Sequence, residues 1–278
     1  EMARRPDGTM VAVESHVLAA ARAENEDYPL AVDETPSAES AEGVDEQAVA
    51  PLQPPAVRFE HPGTVLVPSG AKSRARANLA ALAVVQECER DNRFATVEEQ
   101  QILSAWSGWG AVKSLFDPNR EEWAAERDQL RSMLSAEDYA AARASVQNAH
   151  YTDPEIASAM WNALVDAGFD GGRVLEPGCG SGTFMSLAPD DAVMVGVEKD
   201  PISAQIAHLL NPDAQVRLEG FEVTSVPDAS FAATIGNVPF GSVRLHDQRH
   251  NPANLPIHDH FLIKTVDLLR PGGTSSVR

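Results

Sequence analysis

Three short stretches of this chain carry residue types and spacings that could do chemistry. Glu176-Pro177-Gly178-Cys179-Gly180-Ser181-Gly182 follows directly on the apolar pair Val174-Leu175. Glycines at the end of a strand let a ligand approach the backbone where a side chain would block it. No Gly-Lys-Ser/Thr follows, so this is not a P-loop. An acid ahead of the glycines also suits a cationic ligand better than a pyrophosphate. Glu198 closes the next apolar run, 193–197, at 22 residues after Glu176. That is close to the interval of about 20 at which an acid reaches ribose hydroxyls. The third stretch, Asn237-Val238-Pro239-Phe240, ends another apolar run. Pro239 biases Val238 towards extended backbone, which leaves the Val238 carbonyl without a helical partner, beside the Asn237 amide oxygen. Two acceptors next to an aromatic ring suit a planar base bearing an exocyclic amino group.

These stretches must be held by regular elements, and the pattern supplies them. Apolar runs at 174–175, 193–197, 214–218 and 231–235 alternate with helical patterns at 201–210 and 257–269. Such alternation implies a parallel sheet with flanking helices. Ahead of it, Thr152-Asp153-Pro154-Glu155 is a capping box with proline in the first turn, opening a helix that stops at Gly168. Further upstream, residues 72–147 read as a helical region. Leu79, Leu82, Val84 and Val85 recur at helical spacing over 75–89. Thr96 and Glu99 form a second capping box, opening a helix to about 106 that Ser107-Gly108-Trp109-Gly110 interrupts. Two more helices are expected, from 119 or 120 to 134 and from the Ser135 cap to about 146. Residues 1–71 are expected to be an acidic, Ala/Glu/Pro-rich tail, mostly disordered, with a helix over 10–22.

Charge narrows the partners. The 278 residues carry a formal net charge of −19, which excludes a whole-surface nucleic-acid binder, because phosphate needs a positive footprint. The charge is uneven. Residues 1–70 hold 13 acids against 4 bases, residues 71–150 hold 12 against 10, and residues 151–278 hold 16 against 8. In the loop 241–256, Arg244, His246, Arg249 and His250 lie beside the Asn-Val-Pro-Phe stretch and are the candidates for phosphate contact. Cys88 and Cys179 have no metal-ligand or disulfide spacing. His258 and His260, two apart, point in different directions on a helix, so no metal site is expected. No apolar run is long enough to span a membrane, and the expected location is the cytoplasm.

Taken together, the motifs resemble those of the N6-adenine DNA methyltransferases that use S-adenosylmethionine. The likeness covers about residues 148–273. Tyr151-Thr152-Asp153-Pro154 is similar to that family's N-terminal cofactor motif, and 175–184 to its glycine motif. Glu198 matches the ribose-binding acid, and Asn237-Val238-Pro239-Phe240 the catalytic Asn-Pro-Pro-aromatic tetrapeptide. The run from Leu268 to Gly273 resembles the turn into the fifth strand. Trp106-Ser107-Gly108-Trp109-Gly110 and Asn148-Ala149-His150-Tyr151-Thr152 further resemble the large methyltransferase–helicase proteins of phages and plasmids. The resemblance implies a Rossmann-like S-adenosylmethionine-dependent methyltransferase fold over 148–278, with 72–147 as its companion.

It also implies roles. Gly178, Gly180 and Gly182 would frame the cofactor, with Glu176 near its amino end, Tyr151 and Thr152 near the methionine part, and Glu198 on the ribose. Glu219 or Glu222 would serve at the cofactor's adenine, because Gly220 occupies the position where an acid is usual. Asn237 and the Val238 carbonyl would accept from the target amine, with Pro239 shaping the turn and Phe240 stacking on a flipped base. Arg244, His246 and Arg249 would contact DNA, weakly in this chain alone. With Glu1 first and only 274–278 after Gly273, the chain is expected to be part of a longer protein whose further domains or subunits supply target recognition or helicase activity, within a phage, mobile-element or restriction-defence system. Other targets remain open, among them cytosine N4, RNA and protein amides. So does a non-catalytic role in a defence or anti-restriction assembly.

Overall fold

The computed structural model describes residues 2–4, 10–12, 56–146 and 152–278. At the start, β1 (Met2–Arg4) pairs antiparallel with β2 (Met10–Ala12), Met2 opposite Ala12. The helix expected over 10–22 is therefore replaced by a strand at its first three residues. Val11 and its neighbours satisfy their backbone through β1 instead of locally; the rest of that helix lies outside the described residues.

Residues 56–70, placed by composition in the tail, are anchored at Arg58 and Phe59, with much of the rest exposed. Phe59 is buried and its N–H donates to the Leu210 carbonyl at 2.7 Å. The Arg58 guanidinium donates to the carbonyls of Met185 and Ala188. Composition does not register such long-range partners, which is why this stretch read as solvated.

The helical region follows as α1 (Ala71–Asp91), α2 (Val97–Ser104), 3₁₀ turns at Trp109–Phe116 and Glu121–Trp123, α3 (Ala124–Met133) and α4 (Ala136–Ser145). Thr96 caps α2 as expected, with the Glu99 carboxylate returning to the Thr96 N–H at 2.8 Å. Where two glycines promised only a break, Gly108 adopts φ 66° and starts a 3₁₀ turn instead. Leu79, Leu82, Leu103, Trp106, Trp109, Leu115 and Leu130 form the core of this region, and it is shared with Ile206, Leu209 and Leu210.

The second half is doubly wound. After α5 (Pro154–Asp166) come β3 (Gly172–Pro177), α6 (Thr183–Ser186), β4 (Ala192–Glu198), α7 (Pro201–Leu210), β5 (Gln215–Leu218), β6 (Phe231–Gly236), α8 (Ile257–Leu268) and β7 (Leu269–Val277). Five strands pair in the order β5-β4-β3-β6-β7, all parallel. Order reverses between β3 and β6, so this is a Rossmann-like sheet with its switch point between those two strands. Successive strand residues face opposite layers. Val174 and Met194 pack with Trp161 and Leu164 on one face, while Leu175 and Val195 pack with Phe221, Phe261 and Leu268 on the other. Pro271, Gly272 and Gly273, read as a turn, form an irregular stretch inside β7, with Gly272 at φ 80°. The register jumps there, with Leu269 opposite Phe231 and Thr274 opposite Ala233. Among the described residues, no helix is long and apolar enough to cross a membrane.

Candidate active site

The carboxyl ends of β3, β4 and β6 open into a cavity of about 520 Å³, within the usual range for small-molecule sites. It lies at the switch point, where open parallel sheets bind ligands. The glycine turn forms its floor. Gly178 and Gly180 take φ of 72° and 55°, and the N–H groups of Gly178 and Cys179 donate to the Val197 carbonyl at 2.8 and 3.0 Å. Gly182 does a different job and does not line the cavity. A Cβ there would stand 2.7 Å from Asn211 Nδ2 and 3.3 Å from Ala207 Cβ, so its role is to let α7 pack closely.

Glu176 ends β3 against the turn. It is 2% exposed, and its Oε2 has no hydrogen-bond partner. Burial, with Glu198 nearby as the second cause, pushes its carboxyl well above the ordinary glutamate value. A buried carboxylate without a partner is costly, and among the described residues this oxygen has none, which leaves it able to accept from a ligand. Glu198, at the end of β4, is already oriented. Its Oε2 accepts from the Gly180 N–H at 2.9 Å and its Oε1 from the Asp200 N–H at 2.8 Å. Burial raises its carboxyl and those two N–H groups pull the other way. Each oxygen keeps a lone pair for a hydroxyl.

Asn237 follows β6. Its Oδ1 is buried and, like Glu176 Oε2, unpaired. The Val238 N–H donates to the Arg278 carbonyl, and the Arg278 N–H to the Gly236 carbonyl, both at 3.0 Å. The end of β7 thus pins the backbone of the tetrapeptide. Phe240, at 62% exposure, stands on the cavity wall with an open ring face.

The acid left open between Glu219 and Glu222 is distinguished by its partners. Glu219 accepts from Arg217 Nε at 2.6 Å. At Gly220 a Cβ would stand 2.4 Å from Glu222 Oε1, so the bare glycine is what makes room for the Glu222 carboxylate. Among the described lining residues, five acids (Glu176, Glu198, Asp200, Glu219 and Glu222) face one lysine, Lys199. The cavity therefore favours a cationic ligand.

Of the expected site residues, Thr152, Glu176, Gly178, Gly180, Glu198, Glu222, Asn237, Val238, Pro239 and Phe240 line this one cavity. Tyr151 lies outside the described residues. Arg244, His246 and Arg249 are exposed on the neighbouring loop and do not line it. Arg244 donates to the Asn254 carbonyl and Arg249 faces Asp228. Two groups were not found by sequence reasoning. The first is a wall from the helical region, formed by Gly108, Trp109, Ala141, Ala144 and Ser145; small residues at 141, 144 and 145, one helical face of α4, were its signal. The second is a buried polar cluster. Asp247 Oδ2 accepts from Lys264 Nζ at 2.9 Å and meets His260 Nε2 at 3.0 Å, and Lys264 Nζ also donates to the Phe221 carbonyl at 2.7 Å. Nothing in the local pattern links residues 221, 247 and 264.

The fold and the cavity together define a doubly wound α/β protein with a ligand site at its topological switch point. A curated relative, Defense against restriction protein B of Escherichia phage P1, is 33% identical over 134 residues, which is 45% of this chain and 6% of that protein. The chain thus spans only a small part of the relative it matches. No family model matches the chain. Solved structures similar to it include geranyl diphosphate methyltransferase in complex with GPP and sinefungin, at 18% identity, covering 58% of this chain and 52% of that one with a TM-score of 0.33. They also include a TehB-like SAM-dependent methyltransferase of Corynebacterium glutamicum (20%; 42% and 60%; TM-score 0.31). A third is an amino pentose methyltransferase of Micromonospora echinaspora with SAM bound (18%; 43% and 47%; TM-score 0.32).

Proposed function

We propose that this chain is the catalytic part of an S-adenosylmethionine-dependent DNA methyltransferase acting on N6 of a flipped-out adenine. The observation that carries the reading is the convergence, in one acidic cavity, of two buried and unpaired acceptors, Glu176 Oε2 and Asn237 Oδ1, at the ends of neighbouring strands. The first suits the ammonium of the cofactor and the second an exocyclic amine. The residues present fit the cofactor: an acid for its amino group, the Glu198 carboxylate for ribose hydroxyls, and Glu222 for the amino group of its base.

When bound, S-adenosylmethionine supplies an electrophilic sulfonium methyl. The chain's own residues act on the other reactant, whose nitrogen lone pair is delocalised into its ring. Asn237 Oδ1 and the Val238 carbonyl accept the two N–H bonds, favouring a pyramidal nitrogen and stabilising the positive charge it develops. Phe240 offers a face for stacking, worth about 1–3 kcal/mol per base, which offsets part of the cost of removing a base from a duplex. Other chain segments would grip the duplex, since this chain carries a net charge of −19; Arg244, His246 and Arg249 add a minor contact. The name of the phage relative supports a place in a mobile-element or restriction-linked system.

The test is incubation with plasmid DNA and S-adenosylmethionine, followed by mass spectrometry of the nucleosides. N6-methyladenine is expected from the wild type and none from Asn237→Ala, while Asn237→Ala still binds S-adenosylmethionine. Methylated cytosine instead, or loss of cofactor binding in the variant, contradicts the assignment.

A further inference from the structure

We infer that Trp109, in the helical region, donates its indole N–H to the carboxylate at the amino-acid end of the bound S-adenosylmethionine, so that the helical region completes the cofactor site. The inference rests on the cofactor reading above. Trp109 lines the same cavity as Glu176 and Asn237, is 1% exposed, and its Nε1 has no acceptor. Indole nitrogen is only a donor, and a buried donor left unmade costs about as much as a lost hydrogen bond.

The ring cannot turn away to find a partner. Trp106 meets it edge-on at 5.0 Å and Phe116 at 5.8 Å. Its place along the cavity is set by its neighbours. Trp106, Ser107, Gly110 and Ala111 wall an adjoining pocket with Thr152 and Thr183, and those two threonines also line the main cavity. Trp109 sits in the chain among these residues and lines the main cavity together with both threonines. Together they offer hydroxyls and an indole N–H. Lys199, the one lysine among the described lining residues, follows Glu198 at the ribose position. Arg74 and His61 line the adjoining pocket, and in the main cavity itself the Trp109 indole N–H is a donor without an acceptor among the described residues.

Trp109→Phe keeps the aromatic packing and deletes the donor. Calorimetry on the whole chain would compare S-adenosylmethionine with 5′-methylthioadenosine, which has no amino-acid end. The variant should lose about tenfold or more in affinity for the former, the scale of a hydrogen bond to a charged group, and none for the latter. Unchanged S-adenosylmethionine affinity overturns the inference. Equal loss for both ligands also overturns it, because Trp109 would then be a packing residue. Should the wild type bind neither ligand, the cofactor reading itself falls. A second measure does not depend on the variant's affinity. In wild-type protein labelled at tryptophan, the Trp109 indole N–H resonance should move downfield with S-adenosylmethionine and stay in place with 5′-methylthioadenosine. A resonance that moves with both, or with neither, counts against the carboxylate contact.

Discussion

Glu176 and Asp247 are both buried carboxylic acids, and their surroundings are opposite. Asp247 is fully provided for: Lys264 and His260 meet its Oδ2, and the N–H groups of Arg249 and His250 donate to its Oδ1. The Lys264 ammonium and these hydrogen bonds outweigh burial and hold its carboxyl well below the usual aspartate value. Among the described residues Glu176 has an oxygen with no partner, and burial, with Glu198 close by, pushes its carboxyl well above the usual range. Proteins rarely leave such an atom unmet. The Asp247 carboxylate is satisfied, although His260 Nδ1 in the same cluster is buried without a partner among the described residues; the cluster ties the loop carrying Asp247 to α8 and to the Phe221 carbonyl. The unpartnered Glu176 oxygen is where the proposed cationic ligand would supply a partner.

The largest effect separating the two is on stability. Asp247→Ala leaves the Lys264 ammonium buried without its counter-ion, a loss typically of about 3–5 kcal/mol, read by denaturant unfolding. It should also loosen the turn that carries Glu222. Glu176→Gln should leave unfolding unchanged or raise its midpoint, since it removes a charge that the free protein cannot pair. A strong loss of stability in Glu176→Gln would erase the contrast.

A subtler effect lies in the pH dependence, where the two acids have opposite signs. The raised Glu176 carboxyl binds its proton more tightly folded than unfolded. Its contribution is full below the ordinary glutamate value of 4.5 and is lost as pH rises towards its folded value. The depressed Asp247 carboxyl contributes above the ordinary aspartate value of 3.8 and is lost as pH falls below it. Thermal unfolding from pH 4 to 9 should therefore show a wild-type decline at higher pH that Glu176→Gln removes. A flat wild-type profile over that range would contradict the Glu176 environment.

Much of the frame was legible because its signals are local. The Thr96 cap, the short apolar runs and the acids that end β3 and β4 each declare themselves within a few residues, whereas at 152–155 the expected box gives way to an Asp153 cap that accepts from the Glu155 N–H. The cavity's motif wall followed from them, since parallel strands place their carboxyl ends together. Other features depend on distant partners. The packing of Phe59 requires Leu210, the Asp247 cluster requires Lys264, and the seat of Trp109 requires Trp106 and Phe116. Pro271-Gly272-Gly273 spelled a turn, and these residues fall in the irregular stretch between the Leu269 and Thr274 pairings with β6. In the sequence the acid pair at 219 and 222 stays open, and both line the cavity, Glu219 bonded to Arg217 and Glu222 in the room left by Gly220.

The central claim is that Glu176 is held for a cationic cofactor. Titration of the whole chain with S-adenosylmethionine at pH 8, beside Glu176→Gln under the same conditions, tests it most directly. Clear binding by the wild type, with affinity reduced about tenfold or more in the variant, is the result this account predicts. Equal binding by both proteins, or none by the folded wild type, would contradict it.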